Sequence, residues 1–258
     1  VNKTLQIIYT NVTKILLLFL SVGISLFAPN SCLAGNDCVI LLHGLARTNH
    51  SMAKLESTLK KHHYIVVNNN YPSTKKTIEQ LANEFIPPML YQCLKHHPKH
   101  IHFVAHSLGG MMVEHYLQTH TITKLDTIIM LSPPNHGSPL ADLLHNNKIV
   151  QLILGPSIQE LTTQIKESPL KRGPYKIGII AGNRSFNPLG AFIFDEPNDG
   201  IVPVSSTKMK KMNDFIVLPV THTFMMRNDR VITQILCFLK REHFCLSIDK
   251  TKASPKSS

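Results

Sequence analysis

The sequence predicts an α/β fold: a mostly parallel sheet of about six strands with helices covering both faces. Three observations predict it. The 258 residues, 43% hydrophobic and 17% charged, suffice for one well-buried domain and are too apolar for a disordered chain. The strand candidates are continuous apolar runs rather than alternating ones, the pattern of strands buried on both faces. Most runs are followed by a segment with apolar spacings of three and four, as in an amphipathic helix that crosses back over a sheet. No repeat of roughly 20 to 50 residues is visible, which excludes a solenoid or propeller.

The elements follow in order. Cys38 to Leu42 is the first strand, ended by His43-Gly44. Met52, Leu55 and Leu59 place a helix over Asn49 to Lys61. Tyr64 to Val67 is the second strand, closed by three asparagines and Tyr71-Pro72. Ile78, Leu81, Phe85, Leu90 and Leu94 mark a helix over Thr77 to Leu94. A kink is expected at Pro87-Pro88, because proline lacks a backbone donor and crowds the preceding turn. Ile101 to Ala105 is the third strand and Leu108 to Gln118 its helix. Leu125 to Leu131, Tyr175 to Ala181 and Phe215 to Leu218 complete the sheet, and Asp229 to Lys240 is the last helix. The rhythm breaks between Gly137 and Pro174. There Leu143-Leu144, Ile149 to Leu154 and Ile158 to Ile165 read as short helices, forming either a small lid or a surface excursion.

The predicted domain spans residues 35–246. Ahead of it, Lys3 and Lys14 precede the apolar run Ile15 to Phe27, and a small residue, Ala34, offers a cleavage point. This is the pattern of a secretory signal peptide over residues 1–34, so export to the periplasm or medium is expected. Left uncleaved, it would hold the chain at a membrane. Beyond the domain, residues 247–258 read as a disordered basic tail.

Removing the leader leaves Cys38, Cys93, Cys237 and Cys245, an even number suited to an oxidising compartment. Cys38 opens one strand and Cys93 ends the helix before another, so both belong at the N-terminal edge of the sheet. The expected pairs are Cys38–Cys93 and Cys237–Cys245.

The 27 basic and 16 acidic residues give a net charge of +11, or +9 without Lys3 and Lys14. Such a surface suits anionic partners, among them membrane headgroups. No zinc finger, RNP-type aromatic motif or continuous basic helix supports specific nucleic-acid binding. No His, Asp and Glu cluster suggests a metal, and no cofactor is expected.

In a parallel sheet the reacting groups belong in loops at the carboxyl ends of the strands. The third strand runs into Ala105-His106-Ser107-Leu108-Gly109-Gly110 and a helix starts at once. A serine on so sharp a turn is lifted into a cleft, provided the residues two before and two after it are small. Ala105 and Gly109 meet that need. The serine needs a base, and the base an orienting carboxylate, with chain order Ser, acid, His. Two histidines follow the last strand, and His222 lies within loop reach where His243 follows the final helix. Among the aspartates between Ser107 and His222, Asp199 in Asn198-Asp199-Gly200-Ile201-Val202 sits in the loop after the fifth strand, with Asp195 as the second candidate. Asp126, Asp142 and Asp214 fall in or beside regular elements. The N–H groups of Leu45, after His43-Gly44, and of Leu108 would bind an oxyanion.

These segments resemble, in order and spacing, bacterial lipases and esterases of the α/β-hydrolase superfamily, over about residues 38 to 240. The Ala-x-Ser-x-Gly turn resembles that of the small Bacillus lipases. Pro134-Asn135-His136-Gly137-Ser138 is similar to a Pro-His-x-Gly-Ser segment of larger Gram-negative lipases. The resemblance implies an α/β-hydrolase fold with a small or absent lid and hydrolysis of a lipid or small carboxylic ester. The same machinery would serve a phospholipase or a lipid acyltransferase, and a non-catalytic exported binding protein is the remaining alternative. Thr223-Phe224-Met225-Met226-Arg227 has no acidic calcium ligand near the histidine, so calcium is not implied.

Overall fold

Five residues, Cys38–Leu42, form strand β1, and none of them reaches solvent. In the computed structural model, which describes residues 37–164, 173–186 and 193–245, β1 lies inside a six-stranded sheet. The other strands are β2 (Ile65–Val67), β3 (Ile101–His106), β4 (Leu125–Leu131), β5 (Lys176–Gly182) and β6 (Asp214–Leu218). Their order is β2-β1-β3-β4-β5-β6 and every pairing is parallel. The expected leader (1–34) and tail (247–258) lie outside the described residues.

Because side chains alternate along a strand, β1 feeds two cores. Cys38, Ile40 and Leu42 pack with Leu81 and Ile86 of helix α2 (Ile78–Leu94) and Met112 of α3 (Leu108–Thr119). Val39 and Leu41 pack with Leu55 and Leu59 of α1 (Ala53–Lys61) and with Ile235 and Phe238 of α6 (Asp229–Arg241). Each large apolar side chain so buried is worth about 1.5–3 kcal/mol. Helices thus cover both faces, as the continuous apolar strands predict.

Local chemistry sets the element ends. Asn49–Met52 is a 3-10 turn before α1 rather than α-helix. Tyr64 is not in β2; its N–H closes the end of α1 on the Leu59 carbonyl at 3.1 Å. Thr77 caps α2 in a reciprocal box with Gln80, which satisfies two donors that a helix start leaves open. The helix continues through Pro87-Pro88 to Leu94. Cys38 is bonded to Cys93 (Cα–Cα 5.8 Å) and Cys237 to Cys245 (5.7 Å).

The segment between β4 and β5 contains α4 (Pro139–Leu144), α5 (Lys148–Leu154) and a 3-10 turn over Pro156–Leu161. The helix expected to reach Ile165 therefore ends earlier as 3-10, and Ile165 lies outside the described residues. Asn147 caps α5 by accepting from Ile149 and Val150 N–H. Asp142 accepts from the Thr163 N–H and hydroxyl at 2.8 and 2.6 Å, tying the chain just beyond the 3-10 turn back to α4.

Candidate active site

Ser107 alone separates β3 from α3, and its backbone takes φ 53°, ψ −119°. A side-chain-bearing residue pays about 1–3 kcal/mol for such a conformation and keeps it only where its surroundings demand it. Here the Ser107 N–H donates to the Leu131 carbonyl of β4 at 2.9 Å, and the Ser107 carbonyl accepts from Gly110 at 2.8 Å. Gly109 explains the rest of the turn. A Cβ there would stand 2.8 Å from both the Cβ and the carbonyl oxygen of Leu42. Only glycine lets α3 approach the end of β1 so closely. Gly44 is constrained from the other side, since its Cβ would lie 2.8 Å from His106 Nδ1 and 3.4 Å from Ser107 Cβ. The Leu45 and Leu108 N–H groups on either side of this contact are taken by no acceptor among the described residues.

Asp199 and His222 come from the loops after β5 and β6. His222 Nδ1 lies 2.7 Å from Asp199 Oδ2, and the His222 N–H donates to the Asp199 carbonyl at 3.0 Å. The other carboxylate oxygen, Oδ1, accepts from the Ile201 and Val202 N–H groups at 3.0 and 2.8 Å. Gly200 makes that hairpin possible by adopting φ 98°. Gly182, the last residue of β5, leaves the space: a Cβ there would meet the Val220 carbonyl at 2.5 Å and Asp199 Cβ at 2.8 Å. Burial alone would discourage ionisation of Asp199. The His222 imidazole, the Val202 N–H and Ser132 outweigh it and hold the carboxyl below its ordinary value.

The remaining candidates are placed elsewhere. Asp195 is exposed, as is His243. Asp142 is engaged by Thr163, and Asp214 accepts from the Phe244 N–H. Asp126 lies near the N-terminal end of β4, 3.6 Å from His102.

Two histidines support the site: His43, expected from its place before Gly44 and Leu45, and His106, which sequence alone did not connect to it. His106 is buried, lies 3.0 Å through Nε2 from the His222 carbonyl, and stands 4.6 Å from the His222 ring. A carbonyl only accepts, so Nε2 carries the proton and donates. Burial, then the neighbouring His222, pushes the His106 pKa well below the ordinary imidazole value. His43 stacks on Tyr71 with ring centroids 3.8 Å apart, and the Tyr71 hydroxyl donates to the His43 carbonyl. This clamps the turn that carries Leu45. Burial likewise lowers the His43 pKa.

Ser107, His106 and His222 open into a cavity of about 380 Å³. Ile201 and Val202 of the Asp199 loop line one side. Leu140, Ala141 and Leu144 of α4, Leu154 of α5, and Ile158 and Leu161 beyond it form an apolar wall. The described residues between β4 and β5 thus supply a wall of the cavity. Ser107 and His222 face the cavity without a hydrogen bond between them. On the outer side of the wall, Leu143, Ile149, Leu152 and Ile153 are exposed, Leu152 by 86%.

Comparison with known proteins agrees with this architecture. A family model described as the alpha/beta hydrolase fold matches residues 37–152. A search of curated protein sequences found no match. Among solved structures, the mature lipase BlEst2 of Bacillus licheniformis is 19% identical with a TM-score of 0.63, covering 80% of this chain and 91% of its own. The phospholipase PlaB of Legionella pneumophila is 19% identical with a TM-score of 0.54, covering 67% of this chain and 45% of PlaB. A thermophilic esterase of Thermogutta terrifontis is 15% identical with a TM-score of 0.52, over 79% and 89%. At such identities the likeness concerns the fold. The chain has the α/β-hydrolase fold, with a six-stranded parallel sheet and flanking helices.

Proposed function

We propose that this α/β-hydrolase-fold chain is a serine hydrolase of carboxylic esters, acting after export in an oxidising compartment. The observation that carries the reading is the 2.7 Å contact between buried Asp199 and His222, which lines one apolar cavity together with Ser107. Ser107 Oγ attacks the ester carbonyl and His222 Nε2 takes its proton. Asp199, bonded to Nδ1, keeps that nitrogen protonated and leaves Nε2 free to act as base. The Leu45 and Leu108 N–H groups receive the charge that develops on the carbonyl oxygen. The alcohol leaves with the proton from His222. Water, deprotonated by the same imidazole, then releases the acid from Ser107. The two disulfides support the oxidising compartment.

The test is hydrolysis of p-nitrophenyl esters over a range of acyl lengths. Ser107→Ala is expected to lose at least about 10⁴-fold in kcat, and Asp199→Asn about 10⁴-fold through the wrong imidazole tautomer, with both variants folded. Full turnover in either variant removes that residue from the mechanism. The apolar wall favours substrates with an acyl chain over compact polar esters.

The same wall supports a second reading, association with an anionic membrane surface. Ile149, Leu152 and Ile153 present an apolar outer face on a chain whose net charge is +9 without Lys3 and Lys14. Sedimentation with phosphatidylglycerol vesicles is expected to carry the protein down at low salt. Replacing Leu152 by Ser should weaken that binding, and equal binding to phosphatidylcholine vesicles would argue against it.

A further inference from the structure

Arg47 stands two residues beyond Leu45, at the mouth of the cavity. Between them Ala46 adopts φ 54°, left-handed backbone that an L-residue takes only when held there. The hold is local: the Ala46 N–H donates to Ser73 Oγ at 3.1 Å. The guanidinium then reaches across the mouth and donates to Thr223 Oγ1 at 3.4 Å. Thr223 directly follows His222, so Arg47 spans from the loop after β1 to the loop bearing the proposed base.

Its charge is unusual in this setting. Among the described residues lining the cavity, Arg47 is the sole formal charge when the histidines are neutral. None of the ion pairs formed by the described residues involves it. Its field nonetheless reaches inward. After burial and His222, Arg47 is among the groups that disfavour protonation of His106, beside Ser107. A guanidinium with open donors, fixed at one end and close to the reacting centre, matches the planar oxygens of phosphate or carboxylate.

We infer that Arg47 is a specificity residue that binds an anionic group of the substrate. The preferred ester is then an anionic amphiphile, with its acyl chain against the apolar wall, its carbonyl at Ser107 and a phosphate or carboxylate at the guanidinium. The inference rests on the ester-hydrolase reading for the reaction, but its binding half stands apart from turnover.

Binding is measured first, by calorimetry on the full chain carrying Ser107→Ala, with octyl phosphate and octanol as probes. Octyl phosphate is expected to bind about tenfold more tightly. Adding Arg47→Ala should erase the difference, and Arg47→Lys should keep part of it because charge survives without the fork. Equal affinity for the two probes, or an undiminished preference in Arg47→Ala, overturns the inference.

Turnover then identifies the source of the anion. The parameters kcat and KM are compared for dihexanoylphosphatidylglycerol, for 4-(hexanoyloxy)butanoate, and for neutral dihexanoylglycerol. In Arg47→Ala, kcat/KM for the charged ester should fall about tenfold relative to the neutral one, mainly through KM. A loss confined to the phospholipid identifies a lipid headgroup, and one confined to hexanoyloxybutanoate a small carboxylate. A fall of the same size on charged and neutral esters overturns the inference in favour of a structural role. Absence of turnover on every ester defeats the hydrolase reading, while the octyl phosphate comparison still decides for or against Arg47.

Discussion

His106 holds the backbone of His222 through one hydrogen bond from a ring that burial keeps neutral. Its folded pKa lies well below the ordinary imidazole value of about 6.5, so the folded state binds fewer protons than the unfolded one as the solution acidifies. The stability tied to its neutral form is complete above about pH 6.5 and is lost as pH falls from there toward the folded value. His43 acts with the same sign. Asp199, also depressed, contributes stability that is complete above about pH 4 and is lost only as pH falls below that, so the two windows are separate. Urea unfolding from pH 7.5 to 5 should show a falling midpoint in the natural chain. In His106→Gln, which keeps an N–H for the His222 carbonyl, the slope should be shallower; an unchanged slope would remove His106 from the account. The sequence could nominate Ser107 and His222 because a turn motif and chain order are local or ordinal signals. It could not connect His106 to His222, because that partner is a main-chain carbonyl 116 residues away and carries no residue-type signature.

At the scale of elements, β1 and α3 are held together by Gly109, whose missing Cβ is the room for the Leu42 carbonyl. Gly109→Ala should cost about 1–3 kcal/mol in urea unfolding, as overpacking against backbone does. Its loss of turnover should exceed what the stability change explains, since the Leu45 loop shifts against Ser107. The disulfides can be ranked in the same way. Opening the Cys38–Cys93 bond, which closes a loop of 55 residues, should cost about 4 kcal/mol, and opening Cys237–Cys245, which closes one of 8, about 2.5 kcal/mol. Double Cys→Ala variants measured under non-reducing conditions test the order, and a larger loss for the short loop would contradict it. Strands and long helices were legible because burial on both faces writes itself as continuous apolar runs and spacings of three and four. The 3-10 start at Asn49–Met52 and the end of the 158–165 segment were not, because short turns are chosen by tertiary contacts rather than by period.

Over the whole molecule, the groups proposed for the chemistry and the surfaces that would hold an acyl chain come from different parts of the chain. Ser107, Asp199 and His222 hang from the ends of β3, β5 and β6, whose registers are fixed by the sheet. Most of the apolar wall comes from α4, α5 and the turn after them, one continuous stretch between β4 and β5. The sequence showed that stretch as a break in rhythm holding short helices, but nothing in its composition says which way their apolar residues turn. The separation has an evolutionary consequence. Substitutions at Leu144, Leu154 or Ile158 can reshape what fits inside while the sheet keeps its registers and Asp199 stays beside His222. Under the proposed reading, a lineage carrying this scaffold can therefore change its diet by drift in one short stretch of gene, without passing through an ancestor that has lost its chemistry.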